Sequence, residues 1–275
     1  MILVADIGNT NVSVGVWRGG TLVQIKTRRP ARADRAWWKK TVWRVCARSG
    51  IRPGDLSGSS VSSVVPSATR GLVPLLRGLT GRDPLLVRGG LPLGLGIRYP
   101  DPDLLGPDRV CAMLAAGGKY PLPVIVVDCG TAVTFDAVDR RGRHAGGMIA
   151  PGLAAAASSL ARSTAALPRL RWKMPARPAG HSTRDAIRSG VYYAVVGAVR
   201  ENVSQLKKVV GKKAVVVGTG GGAAALAAAG RLFDIIDPAL VLEGAMRAFR
   251  KLPPGPPARV AGIRKSTASR RGGRR

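Results

Sequence analysis

A chain of 275 residues, 45% apolar and only 4% aromatic, is long enough for one large or two ordinary domains around a core of Val, Leu, Ile and Ala. Three cysteines, Cys46, Cys111 and Cys129, with no CxxC pair, argue against a disulfide framework or a zinc site and fit a reducing compartment. With 44 Lys+Arg against 15 Asp+Glu the formal charge is +29, a field that attracts polyanions, nucleic acid included, although before residue 251 the bases are scattered rather than striped.

The opening "MILVADIG" carries no basic segment ahead of its apolar run and does not read as a signal peptide. No apolar run approaches the roughly 20 residues of a spanning helix, so the expectation is a cytoplasmic protein without a membrane partner. Ile2–Ala5 reads as a strand ending at Asp6. Val12, Val14 and Val16 alternate, which predicts a second strand over Val12–Trp17, turned at Gly19–Gly20 into a third over Leu22–Lys26. A helix is expected over Ala31–Arg48, with Trp38, Val42 and Val45 on one face. Its "WWKKTVWR" interleaves aromatics and bases, which fits either an amphipathic helix with a basic outer face or stacking on nucleic-acid bases. Val61–Val65, Ser67–Leu79 and Pro84–Val87 read as strand, helix and strand.

Helical pattern resumes at Val110–Ala116, behind "GPDR". Val124–Val127 and Val133–Val138 are strands joined by "DCGTA", and Ala145–Ile149 continues their sheet after the "DRRGR" turn. An Ala-rich helix over Leu153–Leu167 is expected to stop at Pro168. A loop over Lys173–Gly180, a long helix over Thr183–Leu206, a strand over Ala214–Val217, a "GTGGG" turn into an Ala-rich helix and a last helix over Leu240–Phe249 complete the pattern. Each half opens with strand, Asp-x-Gly, strand. That weak duplication predicts an α/β fold of two similar lobes, each a mixed sheet flanked by helices: residues 1–118 and 119–250, then a basic tail, 251–275. The tail carries eight basic residues and no acid, and its composition predicts disorder.

The repeated turn carries the chemistry. A Gly two residues past a strand-terminal Asp lets the backbone turn and exposes N–H groups, which with a Thr hydroxyl can hold phosphate oxygens. The Asp itself acts only through a cation or the cation's water. Two such turns, one per half, are suited to clamp a triphosphate and its metal. "GTGGGA" at Gly218–Ala223 also matches a loose dinucleotide turn, with Asp237 placed as a ribose-binding acid; it equally suits an adenosine contact in the two-lobed clamp or a plain tight turn. Asp108 and Arg109 stand at a helix start. There the carboxylate either complements the helix dipole or takes a proton from an attacking hydroxyl, and the guanidinium fork fits a substrate carboxylate.

Taken in order, "DIGNTN" (Asp6–Asn11), "GPDR" (Gly106–Arg109), "DCGTAVTFD" (Asp128–Asp136), "GGMIAPG" (Gly146–Gly152), "STRDAIRSG" (Ser182–Gly190) and "DPALVLEG" (Asp237–Gly244) resemble the type III pantothenate kinases of the acetate-and-sugar-kinase/Hsp70/actin superfamily. The resemblance covers the chain to about Phe249. It implies ribonuclease-H-like lobes around a nucleotide cleft, and ATP-dependent phosphorylation of pantothenate, the first step toward coenzyme A. By the same resemblance, Asp6, Ile7, Gly8, Asn9, Thr10, Asn11, Val12 and Ser13 hold ATP phosphates and Thr131 contacts ATP. Asp108 is the general base. Tyr99 and Gly106, Pro107, Asp108 and Arg109 line the pantothenate site. Asp128 binds a monovalent cation, K+ or NH4+, beside the Mg2+ of ATP. Thr183 touches pantothenate from its own subunit or across a homodimer interface. Pro107 stands where the family usually has Ala, and Ser182–Thr183 replaces a common Asn-Thr. The alternative kept open is a catalytically silent, nucleic-acid-binding relative.

Overall fold

In the computed structural model, which describes residues 1–28 and 33–253, the chain opens with β1 (Ile2–Ile7). It turns back through β2 (Asn11–Arg18) into β3 (Thr21–Arg28). Ile7 pairs with Val12 across the first turn, and the Gly8 N–H closes it onto the Asn11 carbonyl at 3.0 Å. Gly19 and Gly20 make the second turn at φ +55 and +88, where a side chain would be strained. Helix α1 (Arg35–Arg48) is capped by the Asp34 carboxylate, which accepts from Trp37 N–H at 2.9 Å. Then come β4 (Gly58–Ser63), α2 (Pro66–Thr80), the two-residue β5 (Leu85–Leu86) and α3 (Pro107–Lys119). The first sheet has the order β3-β2-β1-β4-β5, antiparallel on one side of β1 and parallel on the other.

The second half repeats this plan. β6 (Val124–Cys129), β7 (Ala132–Val138) and β8 (His144–Pro151) form an antiparallel meander. After α4 (Leu153–Ser163) and α5 (Thr183–Val210), β9 (Val215–Thr219) adds parallel to β6, and after the short α6 (Ala223–Ala227) β10 (Ile235–Ile236) adds parallel to β9. The order β8-β7-β6-β9-β10 is that of the first sheet, so the duplication is structural. Helix α7 (Leu240–Lys251) closes the fold. No helix among the described residues is long and apolar enough to cross a membrane.

Period-two alternation sorts the strands' side chains into three layers. Leu3, Ala5 and Ile7 pack outward with α1 and α2; Ile125, Val127 and Cys129 pack outward with α4, α5 and α6. The intervening residues, Val4 of β1 and Val124 and Val126 of β6, face a middle layer made by α3 and α7. Asp6 and Asp128 are in phase with that inner set, so both strands deliver their carboxylates between the sheets, where α3 begins.

The differences from the sequence reading have local causes. β4 occupies Gly58–Ser63, not Val61–Val65. Its serines 59, 60 and 62 are buried, small enough for a strand flanked on both sides, whereas Val64 is exposed. Helix α4 stops at Ser163, five residues before Pro168: the Thr164 hydroxyl donates to Leu160 O at 2.8 Å, and Thr164 leaves the helix. β10 is too short to show a period. Helix α1 begins at its Asp34 cap; the expected start at Ala31 and the tail beyond Pro253 lie outside the described residues.

The middle layer depends on close approach. A Cβ on Gly244 of α7 would lie 1.9 Å from Cys111 O of α3. Gly244→Ala must push these helices apart and is expected to cost about 2 kcal/mol or more, measured as a lowered urea midpoint. Gly78→Ala, on an exposed helical position with nothing within 4 Å, is expected to raise the midpoint instead.

Candidate active site

Three carboxylates define the cleft. Asp6, the penultimate residue of β1, pairs in register with Ser13 and Ser62, and accepts from Ser62 Oγ at 2.9 Å. Asp128 occupies the same place in the second lobe, between Thr134 and Thr219. Asp108 is the second residue of α3, after Gly106 and Pro107, where Pro gives up no helical hydrogen bond; its Oδ1 accepts from Arg109 N–H at 2.9 Å. The helix-start role and the cleft position are therefore the same place.

The carboxylates lie within each other's fields. Burial, then the charge of Asp108, pushes Asp6 up to about 7, with Asp128 adding to the shift and the Ser62 hydrogen bond and Lys26 opposing it. Burial and Asp108 likewise push Asp128 up to about 6. Burial raises Asp108 too, against the Arg109 N–H and guanidinium. Lys26, exposed on β3, bears on both strand-end acids; nothing in its sequence context marks it, because its position follows from pairing with Ser13.

Both Gly-Thr turns meet here. Thr10 Oγ1 and Thr131 Oγ1, 121 residues apart in sequence, are 3.0 Å from each other, so the two hairpins face across one cleft. Gly130 N–H bonds Ala132 O at 2.9 Å, closing the second turn as Gly8 closes the first. Ile7 and Val12 are fully buried core residues and present only backbone to the cleft; Thr10, Asn11 and Thr131 are exposed. The third turn, Gly220–Gly222, lies against Asp128: Gly222 N–H donates to Cys129 O at 2.8 Å, and a Cβ on Gly220 would stand 2.2 Å from Asp128 Oδ1. The space beside these turns stays open because the residues are glycines.

This set suits a cation shared with phosphate oxygens. Clustered carboxylates with raised proton affinity gain when a cation replaces the proton. Among the described residues no three His, Cys, Asp or Glu side chains converge closely enough to hold a metal alone. Ligand oxygens or water must complete the shell, as around a nucleotide-bound Mg2+.

Arg109 departs from the simplest expectation. Its Nε and Nη2 donate to Asp136 Oδ2 and Oδ1 at 2.9 and 2.6 Å, deep in the protein, so the planar fork is already engaged. Burial would lower its proton affinity, but Asp136 outweighs this and keeps it charged. Nη1 remains, 3.4 Å from the Tyr99 hydroxyl. Nothing in the sequence around Asp136 marks it as the partner of Arg109, because the two meet only through tertiary packing. Thr183 is the expected site residue not joined to the others: it is exposed on the first turn of α5, behind the Ser182 cap, and no hydrogen bond or ion pair among the described residues ties it to the cleft. Asp237 is no ribose ligand. Lys119 and Tyr120 each bond its Oδ2 at 2.7 Å, and with β6 and β7 antiparallel the sheet is not a doubly wound dinucleotide fold.

The family model described as type III pantothenate kinase matches residues 2–205. A protein of that name from Dehalococcoides mccartyi (strain ATCC BAA-2266 / KCTC 15142 / 195) is 35% identical over 246 residues, 88% of this chain and 95% of the relative. Another, from Thermomicrobium roseum, is 34% identical over 255 residues, covering 92% and 98%. Among solved structures, a Baf family protein from Campylobacter jejuni superposes with a TM-score of 0.53 at 18% identity, over 90% of this chain and 98% of that one; it shows the shared fold.

The acid cluster has a testable pH signature. A carboxyl whose folded-state affinity is raised keeps its proton longer folded than unfolded, so stability is lost as pH rises from near 4 through about 7. Without nucleotide or divalent cation, Asp6→Asn is expected to melt several degrees above wild type at pH 8 and to converge with it near pH 4, read by thermal denaturation. A gap that does not grow with pH contradicts the assignment.

Proposed function

Because the chain belongs to the type III pantothenate kinase family, we propose that the cleft between the two acidic turns binds ATP and that Asp108 takes the proton of the acceptor alcohol. The activity is ATP-dependent phosphorylation of pantothenate in coenzyme A biosynthesis. The observation that supports the site reading is the 3.0 Å contact between Thr10 and Thr131, which brings the two Gly-Thr turns together.

On this reading the backbone of Asp6–Ser13 and the hydroxyls of Thr10 and Thr131 cradle the phosphates, while Gly220–Gly222 leaves room for the nucleoside. Asp6 and Asp128 face the cations, Mg2+ with the phosphates and K+ or NH4+ at Asp128. Those cations supply charge neutralisation for the transferring phosphoryl group. Asp108 lies in the first turn of α3, and its raised proton affinity brings it closer to what a base needs to accept a hydroxyl proton near neutral pH. Arg109 Nη1 and Tyr99 face the acid end of pantothenate. The three buried, unpaired cysteines suit the reducing cytoplasm.

Asp108→Asn is expected to lower kcat by about 10²–10⁴-fold while leaving the Kd of a non-hydrolysable ATP analogue within about threefold. Turnover near wild type in a coupled ADP-release assay contradicts the general-base role. Thr183, exposed and unattached to its own cleft, is read as reaching the site of a partner subunit in a homodimer. Mixing Asp108→Asn and Thr183→Ala subunits should then restore activity that neither variant has alone, since one site of each mixed dimer is intact. If Thr183 acts within its own chain, mixing restores nothing.

A further inference from the structure

His144, the first residue of β8, has no exposed surface, and neither ring nitrogen has an aligned hydrogen-bond partner among the described residues. Leaving a buried imidazole underused is costly, so its surroundings need an explanation. Nε2 lies 3.2 Å from Asp136 Oδ1, the oxygen that also receives Arg109 Nη2. On its other side the ring packs on Tyr99, with centroids 5.5 Å apart and planes tilted by 42°. Tyr99 in turn accepts from Arg109 Nη1. His144 thus closes a ring of contacts running Arg109, Asp136, His144, Tyr99 and back to Arg109.

The strand is built to place it there. Along β7 and β8 the register runs Asp136 with Gly147 and Ala137 with Gly146, and then skips to Val138 with His144. The extra residue, Ala145, is a β-bulge, and Gly146 beside it takes φ +127. Without the bulge, position 145 would stand opposite Val138 and His144 would point to the other face. With it, His144 shares a face with Asp136. Gly147 supplies the room: a Cβ there would lie 2.4 Å from Arg109 Nη2 and 2.7 Å from Asp136 Oδ1. The His144 N–H bonds Gly96 O at 3.2 Å, tying the bulge to the segment that leads to Tyr99.

We infer that His144 is a positioning residue for substrate recognition, bracing Asp136 and Tyr99 so that Arg109, its fork already engaged, presents Nη1 to the carboxylate of pantothenate. The inference rests on the reading that Arg109 meets that carboxylate. In the tautomer with its proton on Nε2, His144 donates to Asp136 after a small rotation. The carboxylate then cannot swing away from the guanidinium.

The test is steady-state kinetics on the full chain. His144→Phe keeps the ring against Tyr99 and removes the donor. It is expected to raise the KM for pantothenate about tenfold, with kcat within threefold and the KM for ATP unchanged. His144→Gln, which keeps an amide N–H near the Nε2 position, should bring the KM back to within about threefold of wild type. A wild-type KM in the Phe variant overturns the inference. So does an equal loss in kcat and in the KM for ATP, and so does failure of both variants to fold, which would make His144 a folding residue alone. Arg109→Lys separates the premise: an unchanged pantothenate KM there removes the reading of Arg109 and this inference with it. A raised KM there beside a wild-type KM in His144→Phe removes only the inference.

Discussion

Three carboxylates held in one another's fields are the constraint around which this molecule is arranged. Asp6 and Asp128 are the penultimate residues of equivalent strands, and Asp108 lies in the first turn of the helix between them. Each is harder to ionise than a solvated carboxyl because burial and its neighbours penalise the charge. A fold does not gather such groups for stability. On the proposed reading, cations entering with a polyphosphate offset this charge cost.

The scaffold holds that cost by layering. The central strands β1 and β6 put their odd-numbered residues outward and their even-numbered ones toward α3 and α7, so one phase relation aims both acids inward. Glycines set the distances. Gly244 brings α7 onto α3, Gly147 makes room for Arg109 over the second sheet, and Gly220 clears Asp128. Because α7 comes from the second half of the chain yet packs with β1 and β4 of the first, the two sheets share one central layer. Motion of one lobe against the other must therefore be accommodated in that layer.

The strand-to-Asp turns were legible in the sequence because they rest on local rules: an apolar run, a period of two, then Gly. The duplication of the two halves followed from the same signals, but the order of strands within each sheet did not. What escaped detection depends on tertiary pairing. β4 was misplaced because buried serines carry no hydrophobic period, although Ser62 is the residue that bonds Asp6. Lys26 enters the cleft's field from a strand register, and His144 turns inward only because a bulge shifts the pairing. Arg109 looked free to take a carboxylate until Asp136, 27 residues on, occupied its fork. Asp237 looked like a ribose ligand until Lys119 and Tyr120 claimed it. In each case the partner is set by strand pairing or tertiary packing, so residue type and spacing could name the chemistry but not its counterpart.

The central claim, that the raised carboxylates exist to receive cations with the nucleotide, is tested most directly by counting protons. Titration calorimetry of ATP binding in the presence of Mg2+ and K+, repeated in buffers of differing ionisation enthalpy, gives the number released. With Asp6 near 7 and Asp128 near 6, the account predicts release of about one proton per nucleotide at pH 6.5 and a clear loss of that release in Asp6→Asn. Nucleotide binding without proton release, or with uptake, would contradict it.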